Sequence, residues 1–152
     1  MNKILFVGAV FVFVSVISCH NAGNNKSGNA DNSKVDSIWK QLDEAHVAGM
    51  SKMGKLSRFQ TQVEHLIDSI GKLTGKAKSE SAPYLSSLES LLNELKSAQD
   101  GMDKWMAEFK YDSAENNPAI RAQYFASEKT KISGVAEQMQ QAIRKADSVL
   151  KK

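Results

Sequence analysis

From Val35 to Leu73 apolar side chains return every three or four residues, with His46, Met50 and Met53 taking successive slots between Leu42 and Leu56. That interval is the period of an α-helix with one face turned to a core. It predicts a first helix over about residues 34–73, capped by Ser33 and stopped by Gly71 to Gly75. Gly49 and Gly54 fall inside it, each less favourable than alanine by about 1 kcal/mol, so a bend or a close helix approach is expected there. A second stripe, Leu88, Leu91, Leu95, Ala98, Met102, Trp105 and Phe109, alternates steps of three and four, the seam of a helix lying nearly along its neighbours. Proline suits the first turn of a helix, so Pro83 behind Ser81 places the second helix at about 82–111. Asn117-Pro118 repeats the signal and opens a third helix over about 118–150, with Ile120, Tyr124, Phe125, Ile132, Val135 and Met139 on its buried side. The expected fold class is all-α, an antiparallel up-down-up three-helix bundle with coiled-coil-like packing, because connections of roughly 6 to 10 residues join helices most simply side by side.

Ahead of the helices the pattern changes twice. Lys3 is followed by an apolar run from Ile4 to Ile17 and then by Ser18-Cys19. A positive start, a short apolar stretch and a small residue at its end make a secretory signal, and the run is shorter than the roughly 20 residues a membrane-spanning helix needs. Val16 three places before Cys19, with Ser18 just before it, matches the lipobox spacing, so residues 1–18 are read as a lipoprotein signal peptide and Cys19 as the lipidated new N-terminus. An ordinary secreted protein with a free thiol is the alternative, but a single exposed cysteine outside the cytoplasm is a reactive liability that acylation removes. Between His20 and Ser33 the chain is rich in Asn, Gly and Ser. Such a stretch buries too little to offset its ordering, so residues 19–33 are expected to form a lipidated, flexible tether reaching about 20 Å.

Removing 18 of 152 residues leaves residues 19–152, with 19 basic against 17 acidic side chains and room for one domain, over 34–152. The basic residues are scattered and not interleaved with aromatics, which argues against nucleic acid as a partner. Enzyme readings lack a carrier: there is no spare thiol, no Ser-x-His arrangement, and no Glu-x-x-His pair such as di-iron bundles use. The carboxylates are read as solvated surface charge.

One constellation carries possible chemistry. His46-x3-Met50-x2-Met53 and Met102-x2-Trp105-Met106 each lie on one helix face. If Leu73 faces Ala82 across the first turn, Met50 comes level with Trp105 and Met53 with Met102. Thioether and imidazole donors together favour Cu(I) or Ag(I), and an indole face adds a cation–π contact. His46, Met50, Met53, Met102 and Met106, with Trp105 beside them, are therefore the candidate monovalent-metal site. Methionine also fills irregular core gaps and packs on aromatic rings, so the same residues fit a plain core. His20 lies in the tether and His65 falls on another side of the first helix, so neither is a candidate ligand.

The lipobox with Cys19, the run His46-x3-Met50-x2-Met53-Gly54-Lys55-Leu56 and the run Ala98-x3-Met102-x2-Trp105-Met106-x2-Phe109 resemble a family of small bacterial lipoproteins often labelled "viral A-type inclusion protein". The resemblance implies a lipid-anchored helical protein of the cell envelope and carries no settled activity. The expectation that it faces the periplasm comes from His20, Asn21 and Ala22 after Cys19, which hold no acidic cluster of the kind that marks surface export. Val47 and Asp103 depart from the family pattern, which has an acidic residue and a methionine there. The combined expectation is a non-enzymatic binding or structural protein held to a bacterial membrane through Cys19. A Cu(I)- or Ag(I)-binding role is the alternative, and an envelope protein partner or self-association remains open.

Overall fold

The computed structural model describes residues 25–151, so the expected signal peptide, the expected lipidation site Cys19 and the expected tether up to Asn24 lie outside the described residues. Three helices account for nearly all of it: α1 (Asn25–Gly71), α2 (Gly75–Glu108) and α3 (Pro118–Leu150). They pack as an up-down-up bundle, all-α among the described residues.

Two helix starts differ from the sequence-based expectation. α1 begins at Asn25, nine residues before position 34, and takes Ser33 into its interior. Low apolar content limits what a segment can bury. It does not forbid helix once a downstream turn exists, because elongation fixes one residue per hydrogen bond whereas nucleation fixes several. α2 begins at Gly75 after Thr74, which places Pro83 in its third turn rather than its first. Ser81, expected as the cap, bonds back to the Ala77 carbonyl at 2.8 Å instead. Proline removes the bond to the carbonyl four residues earlier, here that of Ser79, and the helix tolerates this where residues 75–80 are exposed.

The third start is as expected. Asn117 is extended and its side-chain oxygen accepts from the Ile120 backbone N–H at 3.1 Å, with Pro118 in the first turn. Ile120 itself is a correction, since its side chain is more than half exposed while Ala122 takes the buried slot. α2 stops at Phe109, whose backbone turns extended while its N–H still bonds to the Trp105 carbonyl.

Cross-helix contacts fix the register. Between α1 and α2, Gln60 reaches the Leu95 carbonyl and the Gln99 side chain, and Lys96 pairs with Glu64 at 2.8 Å. α2 and α3 run antiparallel, with Lys145 paired to Glu94. α1 and α3 run parallel: Lys129 donates to Gln41 at the near end and Lys55 pairs with Asp147 at 3.0 Å farther on. These partly exposed ion pairs are each worth about 0–1 kcal/mol, so they specify alignment more than they stabilise. Stability rests on the continuous core, in which Leu42, Leu56, Val63, Leu88, Leu91, Leu95 and Ile132 are almost wholly buried. Because α3 ends one turn beyond Asp147, the last turns of α1 and the first of α2 form a two-helix hairpin, closed by Val63, Ile70, Tyr84 and Leu85.

Candidate functional site

At the opposite end, where α2 turns into α3, six aromatic rings are packed together. Trp39 of α1 lies against Phe109, Tyr111 and Phe125, and Trp105 of α2 stacks on Phe109 at 5.0 Å between centroids. Tyr124 stacks on Phe109 and its hydroxyl accepts from the Lys110 backbone N–H at 2.8 Å, tying the start of the α2–α3 loop to α3. Arg121 lies over Tyr111 and Phe125 with its guanidinium carbon 5.1 and 4.8 Å from the ring centres.

His46 extends this cluster along α1, its ring centroid 5.3 Å from that of Trp105. Its Nε2 is cut off from solvent and has no hydrogen-bond partner. A buried polar atom left unpaired costs about 1–3 kcal/mol, so this imidazole is a poor choice for packing alone. The ring lines a recess of about 330 Å³ between α1 and α2, formed with Trp39, Leu42, Asp43, Trp105, Met106 and Phe109. No lysine or arginine lines it.

Behind Trp105 the interior holds a carboxylate. The indole N–H donates to Glu128 at 3.0 Å, and Lys131 donates to the other carboxylate oxygen at 2.7 Å. Glu128 is only 5% exposed. The hydrogen bond to it, and then its charge, hold the Lys131 ammonium above its ordinary pKa. Sequence reasoning missed Glu128, although position 128 falls midway along the stripe between Phe125 and Ile132, where a helix face has a buried slot.

The two sulfur-bearing windows meet between α1 and α2, but one turn away from the expected pairing: Trp105 lies against His46 rather than level with Met50, and Met102 against Gly49 rather than level with Met53. The five proposed ligands divide into two groups. Met102 is fully buried, and its terminal methyl lies where a side chain on Gly49 would start. Met139 of α3, which the sequence reading placed in the core but not in the site, has its sulfur on the same spot, 3.8 Å from that Cβ position. Gly49, Met102 and Met139 therefore make one core layer contributed by all three helices. Met53 also packs against the core, half-buried. Met50 and Met106 do not: they are 39% and 38% exposed, Met106 in the lining of the recess and Met50 one helical turn after His46 on α1, outside that lining. Among the described residues no three His, Cys, Asp or Glu side chains gather as a metal site. His65 is exposed on the far side of α1, as its position off the stripe implied.

No family model matches the chain, and neither the curated proteins nor the solved structures contain a significant match to it.

Proposed function

We propose that this chain serves the bacterial cell envelope as a lipid-anchored protein that acts by binding rather than by catalysis. The anchor is read from Lys3, the apolar run Ile4 to Ile17 and the lipobox ending at Cys19, together with the resemblance to small helical lipoproteins. More than one acyl chain at that cysteine gives long-lived attachment, on the free energy of burying each methylene. Among the described residues no helix is long and apolar enough to cross a membrane.

The observation that carries the binding role is the recess beside His46. Its size lies at the lower end of the roughly 300–1,000 Å³ typical of small-ligand sites, and its lining is apolar and aromatic with two polar side chains, His46 and Asp43. The bundle supplies rigid walls, since Trp105 is fixed by Glu128 and Phe109 is held between Trp39 and Trp105.

Growing cells with an alkyne analogue of palmitate tests the anchor. The wild-type chain is expected to take up label and to partition with detergent, and Cys19→Ala to do neither. An unlabelled, water-soluble mature chain discards this reading.

A further inference from the structure

From the rim of the recess we infer that His46, Met50 and Met106 form a capture site for a monovalent soft metal ion, Cu(I) or Ag(I), laid against the Trp105 indole. This inference rests on the binding role proposed above and names its ligand. It differs from the five-residue site expected from sequence, because Met53 and Met102 already have another task. Met102 and Met139 fill the layer opposite Gly49, and Met53 packs partly buried against the core.

Exposure separates the two tasks. A methionine that fills a gap is buried, as Met102 and Met139 are, whereas Met50 and Met106 keep more than a third of their surface in water. Helical side chains lean toward the N-terminus of their own helix, so Met50 reaches back over the turn that carries His46. α2 runs the other way, so the same lean carries Met106 along α1 toward Met50. Two long, partly exposed thioethers thus lean toward each other from opposite directions, next to the His46 imidazole, whose Nε2 has no partner.

The donor chemistry decides the class of ligand. One imidazole and two thioethers are soft to borderline donors, which select Cu(I) or Ag(I) over magnesium, calcium or zinc. The Trp105 ring lies 5.3 Å from that of His46, so an ion on the imidazole is brought near the indole face, which attracts cations over roughly 6 Å. Glu128 acts as a positioning residue by holding the indole N–H from behind. With Asp43 in the lining and no basic side chain there, nothing in the recess repels a cation.

The test uses the mature lipoprotein in detergent micelles, without a histidine tag, titrated with silver nitrate in chloride-free buffer and with Cu(I) under anaerobic reducing conditions. One ion per chain by native mass spectrometry, with tryptophan fluorescence quenched, is the expected result. His46→Leu, Met50→Leu and Met106→Leu should each weaken binding at least tenfold, while Met53→Leu and Met102→Leu stay within about threefold. Trp105→Phe should remove the quenching with the ion still bound, and Trp39→Phe should keep it. Thermal melts of every variant separate lost binding from lost fold.

Failure to retain one ion, equal affinity for Zn(II), or loss of binding through Met53 and Met102 rather than Met50 and Met106 overturns the site. Cys19→Ser must bind as the wild type does, since a thiol at Cys19 is no part of it. A chain that binds silver but takes up no palmitate keeps the site and loses the anchor, and the reverse pair of results does the opposite.

Discussion

The indole N–H of Trp105 and the carboxylate of Glu128 meet at 3.0 Å in the interior between α2 and α3, the one fully internal polar contact among the described side-chain hydrogen bonds. Lys131 reaches the same carboxylate from the surface. Glu128→Ala leaves the buried indole N–H unpaired while Lys131 returns to water, so the expected loss is about 1–3 kcal/mol by urea denaturation. Glu128→Gln keeps an acceptor and should lose less. Equal losses for the two substitutions would contradict the role given to the hydrogen bond.

Lys131 adds a pH signature. Its pKa is raised in the folded chain, first by the hydrogen bond to Glu128 and then by that carboxylate's charge. A cation raised in this way stabilises fully below its unfolded pKa, near 10.5, and the contribution disappears as pH climbs through the higher folded value. Urea midpoints between pH 9 and about 12 should therefore fall less steeply in Lys131→Met than in the wild type. Parallel curves would mean that the pair contributes nothing.

Gly49 and Gly54 should respond oppositely to alanine. A Cβ at Gly49 would come 2.2 Å from the Met102 methyl, whereas one at Gly54 meets nothing within 4 Å. Gly54→Ala should gain about 1 kcal/mol from helix propensity. At Gly49 the same gain is offset by overpacking of about 1–3 kcal/mol, because Met102 is fully enclosed. Met102→Leu, which lacks the terminal methyl, should restore much of the difference in the double variant. Thermal midpoints of the four chains check this.

His46→Leu should make the bundle more stable. It removes a nitrogen whose burial without a partner costs about 1–3 kcal/mol and replaces it with an apolar group in an apolar setting. A rise in melting temperature together with lost silver binding would show that the histidine is kept at the expense of stability. A fall would mean that the imidazole contributes packing the leucine cannot reproduce.

Asn117→Ala should cost about 1 kcal/mol, since it deletes the acceptor for the Ile120 N–H at the start of α3. Pro83→Ala should act elsewhere, slowing amide exchange over residues 75–82 by restoring the bond to Ser79. Unchanged exchange there would mean that the first turns of α2 already hold without it.

The three helices and their directions were legible in the sequence because thirty-residue stripes leave little choice of face. The pairing of α1 with α2 came out one turn away from the expected one, since α2 starts at Gly75 and not at Ala82. The division of the methionines was not, and Gly49 is the reason. The α1 stripe runs Leu42, Ala45 and His46, Gly49, Met53, Leu56, but glycine carries no hydrophobic signal, so the core slot was credited to its neighbour Met50. One residue along a helix is about 100° of rotation, enough to turn a core thioether into a rim one. Glu128 escaped for the converse reason. A carboxylate reads as surface unless its partner is known, and that partner lies on another helix. The early starts of α1 and α2 were hidden because asparagine, glycine and proline mark where a helix is weak, while neighbouring turns decide whether it stops.

From Asn25 to the turn that carries His46, α1 is unbroken. Twenty-one residues of helix advance about 31 Å in a straight line, where the same length of loose chain would average about 25 Å and fluctuate widely around it. Any force or displacement applied near Asn25 is thus delivered directly to the floor of the recess. Lengthening this segment should shift the recess by a fixed step per residue and rotate it by a third of a turn or so each time, in the manner of a threaded shaft.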